Sequence, residues 1–283
     1  MSELNVGERF IRWADKEPAV VALVQVGSRV RPVGQVGGPD SGSDWDFQLV
    51  TSRPTIFDDR KFLERAGVGR PCAFVNREGR LGSARKITAV LSDGELDLII
   101  IPVEQLLGLR EKARGKGLEV ESKVMQALSD QALVLADGFR VLKGNAEINE
   151  ICDFISTGVP LPRISDTQVR EIAEGFVCDF VSTIRKIERG ELIAAQRWLH
   201  HYLIEADMRL LHEFLLRRGR LTFPDARRME SVLDVKECEA FSISTSLTDV
   251  GLHAAAGKAA NTLQELVDSL VGKSWHWPLK PGR

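Results

Sequence analysis

The sequence predicts an α+β protein in which an N-terminal mixed sheet with helices is followed by a C-terminal α-helical domain. Three observations carry this expectation. Up to Pro102 the apolar residues come in short runs of strand length, broken by Gly and Pro. From about Gln105 onward they recur at helical spacing instead. With 283 residues, 43% of them hydrophobic, the chain is long enough to bury two cores without disulfides. The expected domains are residues 1–104 and 105–283.

Phe10, Ile11 and Trp13 mark an opening helix, and the apolar run Val20–Val26 reads as a strand that stops at Gly27-Ser28. Residues 30–43 hold glycines at 34, 37, 38 and 42 and two prolines without periodicity, so they form a loop. Residues 44–51 (DWDFQLVT) alternate with period two and read as a second strand. A helix is expected at 58–66, strands at 72–76 and Arg85–Leu91, and a last strand at 95–101 that Pro102 ends. The long helical stretches lie at 123–135, 166–189, 191–218 and 255–270. Residues 157–165, with two prolines, interrupt the series, and Ser165 with Gln168 forms a capping-box pattern for the next helix.

Composition excludes several classes of function. Against 40 Asp+Glu stand 38 Lys+Arg, a balance unlike the strongly basic surface of a nucleic-acid-binding domain. The longest apolar run, residues 96–103, is interrupted by Asp97 and falls far short of the ~20 residues of a membrane span. The four cysteines are scattered without a C-x-x-C pair, and the N-terminus lacks the apolar stretch of a signal peptide. A cytoplasmic protein acting on a small molecule, with no nucleic-acid or membrane partner, is therefore expected.

The residues that carry chemistry follow in order: a strand, Gly27-Ser28, a loop, Asp44-x-Asp46 entering a strand, and Asp97 within another. Alternation puts Asp44 and Asp46 on one face, where Asp97 on an adjacent strand can join them. Carboxylates flanked by apolar residues are costly unless something positive sits among them, and a divalent cation is the natural candidate. Mg²⁺ prefers carboxylate and phosphate oxygens, and two such ions ~3.5–4 Å apart stabilise both attack and departure in phosphoryl or nucleotidyl transfer. Gly27 lets the backbone approach a phosphate, the Ser28 hydroxyl and neighbouring amides can hold it, and Arg29 adds charge.

In this order, GSR (27–29), SDWDFQLV (43–50) and LSDGELDLIIIPVEQL (91–106) resemble the polymerase-β-type nucleotidyltransferases. Among these the sequence is most similar to the aminoglycoside 6-adenylyltransferases, also called streptomycin adenylyltransferases, which pair a GSR turn with a D-Y-D strand and a D-G-x-x-I-D-L strand leading to I-P. The resemblance continues through Ala136-Asp137-Gly138, Val141-Leu142-Lys143 and the helical segment 176–213. It differs in a longer, more glycine-rich interval between Gly27 and Asp44, and in a segment 93–97 one residue shorter than the family's.

What the resemblance implies is transfer of a nucleoside monophosphate, from ATP as co-substrate, to a hydroxyl, with release of pyrophosphate. Asp44 and Asp46 would bind Mg²⁺, and Asp97 would complete the metal site or take the acceptor's proton. Glu95, two residues earlier on the same face, is a second candidate base or a solvated turn residue. The helical domain would choose the acceptor. Its segment 166–213 is mildly acidic and would attract a cationic aminoglycoside, with Glu171, Glu174, Asp179, Glu205 and Asp207 the positions of interest. Another small-molecule or protein acceptor, or a non-catalytic nucleotide-binding regulatory protein, are the other functions compatible with these residues.

Other patterns carry less. His201 and Glu205 share a helical face at i,i+4, but His212 lies about three helical turns on, ~16 Å away, too far to converge on one zinc ion. Gly272-Lys273-Ser274 lacks the upstream glycine and the preceding strand of a P-loop, and Gly115-Lys116-Gly117 lacks its Ser or Thr. Trp275-His276-Trp277 reads as an anchor for the C-terminal tail.

Overall fold

The computed structural model describes residues 4–79, 84–114 and 122–279, so Gly115-Lys116-Gly117 lies outside the described residues. The chain forms two compact units, Met1–Pro162 and Arg163–Arg283. They divide within the two-proline segment 157–165 and not at 104/105. The reason is that the stretch between belongs to the sheet, supplying one of its strands and the helices that cover one of its faces.

In the first unit, α1 (Val6–Lys16) starts at Asn5, whose side chain accepts from the Glu8 N–H while the Glu8 carboxylate accepts from the Asn5 N–H. Six strands follow: β1 (Val20–Val26), β2 (Trp45–Thr51), β3 (Ala73–Glu78), β4 (Arg85–Leu91), β5 (Gly94–Pro102) and β6 (Arg140–Lys143). They form one sheet in the order β3-β4-β5-β2-β1-β6. Every neighbouring pair is antiparallel except β2 and β5, which run parallel. The helix expected at 58–66 is shorter. A 3₁₀ turn, Pro54–Phe57, precedes α2 (Lys61–Arg65), which the Asp59 carboxylate starts by accepting from the Lys61 N–H and which Gly67, at φ +67°, ends. α3 (Val103–Arg114), α4 (Ser122–Ala136) and α5 (Ala146–Gly158) complete the unit.

Alternation along the strands divides the apolar residues between two faces. Leu23, Phe47, Leu49, Ile87, Leu96 and Leu98 pack with Val6, Phe10 and Ala14 of α1 and with Phe57 and Phe62. On the opposite face Ala22, Val24, Val26 and Val50 pack with Leu128, Ala132 and Leu135 of α4 and Ile148, Ile151 and Ile155 of α5. Full burial of each Leu, Ile or Phe contributes roughly 1.5–3 kcal/mol. β6 has four residues between Gly138 (φ +111°) and Gly144 (φ +146°) and pairs only with β1, too short a run to show a strand's periodicity in the sequence.

The second unit is helical. α6 (Asp166–Glu188) opens with the Ser165–Gln168 capping box. α7 (Leu192–Trp198) runs through a π-helical turn, Leu199–Ile204, into α8 (Glu205–Arg217), so the helix expected at 191–218 carries a bulge in its middle. α9 (Val235–Phe241) precedes α10 (Asp249–Val271), which begins at Thr248, before the expected residue 255. Ala255, Ala256, Ala259 and Ala260 are small enough to let α10 lie close to α6 and α8, and Phe176, Leu203, Leu210, Leu252 and Leu263 fill the core. Trp275 donates its indole N–H to Glu174, and Trp277 meets Phe176 and Phe180 edge-on, fastening the tail.

Glu213 on α8 ties the start of this unit together. It is buried, and its carboxylate accepts from the Arg163 guanidinium (2.9 Å), the Ile164 N–H (3.0 Å) and Arg217 (2.9 Å). Burial alone would raise its pKa, but these hydrogen bonds together hold the carboxyl below its ordinary value. Glu213→Ala leaves two partly exposed guanidinium groups and the Ile164 N–H without their shared partner, and denaturant unfolding is expected to show a loss of about 1.5–3 kcal/mol. A loss below 1 kcal/mol would mean that the network is ornamental.

Candidate active site

β1 ends at Gly27, which takes φ +78° before the 3₁₀ turn Ser28–Val30. β2 leaves this point antiparallel to β1, with Val26 opposite Asp46. A Cβ on residue 27 would lie 2.1 Å from Asp46 Oδ2, so glycine is needed both for its backbone angle and for the close approach of the carboxylate. On the other side of β2, the parallel register sets Asp46 beside Asp97 and Trp45 beside Leu96. Asp44, two residues before Asp46, faces the same way. One carboxylate oxygen from each of Asp44, Asp46 and Asp97 lies within 4.8 Å of the others, the one such acidic, histidine or cysteine group among the described residues.

Charge repulsion makes the cluster informative. At that separation each pair of carboxylates repels by roughly 3 kcal/mol at an effective dielectric of about 20. Part of the charge is met by two residues of β4, Thr88 and Lys86, whose place at the site the sequence reading overlooked. Thr88 pairs with Asp97 across the antiparallel β4–β5 register; its hydroxyl donates to Asp97 Oδ1 at 2.5 Å, while Lys86 Nζ lies 2.8 Å from Oδ2. The signal was present: Ser92-Asp93 forms a two-residue turn, and equal steps back from it along β4 reach Thr88 opposite Asp97. The same turn is tied to α1, because Arg9 donates to both oxygens of Asp93 and keeps that carboxyl below its ordinary pKa.

The other expected site residues divide. Ser28 is buried, and its hydroxyl has no hydrogen-bond partner among the described residues, an orphan polar atom at the turn expected to receive a phosphate. Arg29 is committed elsewhere: its guanidinium donates to the carbonyls of Asp44 (2.8 Å) and Ser43 (2.5 Å) and lies 4.1 Å over the Trp45 ring. It fastens the entrance of β2. Glu95 shares the face of Asp97 but stands outside the three-carboxylate group. The glycine-rich loop is a chain of tight turns, anchored by Arg31, which donates to the Gly37 carbonyl and pairs with Asp137.

In the helical unit, Glu171, Asp179 and Glu205 line one open pocket of about 400 Å³, together with Phe176, Tyr202 and Arg209. Trp198 donates its indole N–H to Asp179 and meets the Tyr202 ring at 4.8 Å, tilted by 43°. Glu174 and Asp207 are placed otherwise. Glu174 accepts from Trp275, and Asp207 is 1% exposed, turned into the core with neither carboxylate oxygen partnered among the described residues.

The three carboxylates fit a divalent metal: all are oxygen donors, they converge from a turn and two adjacent strands, and an unpartnered hydroxyl lies on the neighbouring turn. Among the described residues no helix is long and apolar enough to cross a membrane. No family model and no curated protein matches the sequence. Among solved structures, the fold is similar to that of a nucleotidyltransferase-like protein from Exiguobacterium sibiricum 255-15, with TM-score 0.36, 14% identity, and coverage of 92% of this chain and 73% of that one. It is also similar to an aminoglycoside 6-adenyltransferase from Bacillus subtilis, with TM-score 0.40, 12% identity, and coverage of 98% of this chain and 94% of that one.

Two outcomes follow. Gly27→Ala forces a methyl into the Asp46 carboxylate at a left-handed backbone angle. Thermal unfolding should show a loss of about 1–3 kcal/mol, and divalent-cation binding should weaken with it; a variant with both unchanged would contradict the described approach of Asp46 to Gly27. For Asp207, burial pushes the carboxyl up to about 8. Folded chains then hold a proton that unfolded chains release above about pH 4, so this group's contribution to stability falls between about pH 4 and 8 and stays low above it. The melting temperature of Asp207→Asn should match wild type near pH 4 and exceed it increasingly up to pH 8; parallel curves would show that Asp207 is paired and charged.

Proposed function

We propose that the chain is a Mg²⁺-dependent nucleotidyltransferase that moves AMP from ATP to a hydroxyl of a small cationic acceptor of the aminoglycoside kind, such as streptomycin. The bond from the α-phosphorus to the pyrophosphate oxygen breaks, a bond to the acceptor oxygen forms, and the hydroxyl proton is released. The observation that carries this reading is the convergence of Asp44, Asp46 and Asp97 beside the Gly27-Ser28 turn. Bound there, Mg²⁺ neutralises the triphosphate and the charge that develops on the leaving group.

The chain's own groups have separable roles. Asp44 and Asp46, on one face of the entrance to β2, hold the metal, and Asp97, beside Asp46 in the parallel register and held from the β4 side by Thr88, completes the set. Gly27 brings backbone close to the phosphates without a side chain in the way, and the Ser28 hydroxyl gives its unused hydrogen bond to a phosphate oxygen. Arg29 holds Ser43 and Asp44 in place through their carbonyls. In the helical unit, the carboxylates of Glu171, Asp179 and Glu205 beside Tyr202 suit an organic cation, which acids attract and aromatic faces accommodate.

Incubation with Mg²⁺, ATP and a panel of streptomycin, other aminoglycosides and a lincosamide tests this reading by pyrophosphate release. We expect release that depends on one of the cationic acceptors and falls by about a thousandfold or more in Asp46→Asn. Equal turnover in wild type and Asp46→Asn would overturn the metal assignment. Activity on the lincosamide alone would keep the chemistry and overturn the aminoglycoside-like acceptor.

A further inference from the structure

Both oxygens of Asp97 are engaged from β4, and the two partners differ in kind. Thr88 is short and holds Oδ1 through its hydroxyl, whereas Lys86 reaches Oδ2 with a charge at the end of a flexible four-carbon stem. Two residues apart on β4, they face the same side of the sheet as the carboxylates. Lys86 is half exposed at its side chain, at 47%, while that of Asp97 is 15% exposed. The ammonium therefore has room to move and the carboxylate does not. Arg29, the cation that the sequence places nearest the phosphate turn, is fixed on two carbonyls and an indole ring.

A divalent ion that takes Asp97 as a ligand brings two positive charges against the Lys86 ammonium, and like charges at such a distance do not share one carboxylate. Mg²⁺ in a site of this kind arrives with the phosphates of a nucleotide, the strongest anions available to a displaced lysine. We propose that Lys86 is a phosphate-binding residue held in reserve: its ammonium occupies Asp97 in the ligand-free protein, yields that carboxylate to the metal, and turns to the triphosphate. The proposal rests on the nucleotidyltransferase reading above. It assigns to β4 the cationic role that the sequence gives to Arg29.

Two equilibrium constants test it without turnover: that of Mn²⁺ alone, from the electron paramagnetic resonance of the free ion, and that of α,β-methylene-ATP with saturating Mn²⁺, from calorimetry. Lys86→Met keeps the aliphatic stem and removes the charge. It is expected to bind Mn²⁺ alone about three- to fivefold more tightly, since no ammonium competes, and the nucleotide about tenfold or more weakly. Lys86→Arg should stay close to wild type in both. Weaker or unchanged Mn²⁺ binding in Lys86→Met, or unchanged nucleotide binding, overturns the proposal while leaving the metal site standing, provided that Asp46→Asn still loses Mn²⁺. Wild-type protein that binds Mn²⁺ no better than Asp46→Asn overturns both the proposal and the reading beneath it.

Discussion

Everything at the chemical end of the sheet depends on the parallel pairing of β2 with β5. That register sets Asp46 against Asp97, and Asp44 follows from it because it lies one alternation earlier on the same face. Antiparallel neighbours on both sides make the position rigid. β1 brings Gly27 against the Asp46 carboxylate, and β4 brings Thr88 and Lys86 against Asp97. A slip of one residue in β2 would turn the aspartates into the apolar layer under α1 and move Phe47 and Leu49 to the carboxylate face. The apolar packing of the sheet and the convergence of three acids are thus one constraint seen from two faces.

The carboxylate cluster is supported by groups that have no chemistry of their own. Trp45, between the two aspartates, stacks beside Phe47 on the opposite face and stands so close to α1 that only glycine fits at position 7. Arg29 covers its ring and holds the carbonyls that lead into β2. Two residues along β2 from Asp46, the buried Gln48 accepts from the side-chain amide of Gln131 of α4.

Much of this was legible in the sequence. An apolar run ended by Gly27-Ser28 located β1 and period-two alternation located β2; strands were expected near β3, β4 and β5 as well, and the D-W-D entrance and Asp97 fell into their order along the chain. The rest was hidden for physical reasons. β6 is four residues long and exists because β1 offers it an edge, which no local pattern reports. The unit boundary was misplaced for the same cause, since helices that cover a sheet and helices that form their own bundle share one periodicity. Arg29 was expected to add charge beside the Gly27-Ser28 turn; only its bonds to Ser43 and Asp44 reveal a fastening role. Acidity alone likewise failed to sort Glu171, Asp179 and Glu205, which share a pocket, from Glu174 and Asp207, which do not.

The central claim is that Asp44, Asp46 and Asp97 form a metal-nucleotide site beside Gly27 and Ser28. Crystals grown with Mn²⁺ and a non-hydrolysable ATP analogue would test it by anomalous scattering. The account predicts a metal peak with oxygens of all three aspartates about 2.1–2.2 Å away and the triphosphate along the Gly27-Ser28 turn. Nucleotide bound elsewhere, or a metal that none of the three aspartates touches, would contradict it.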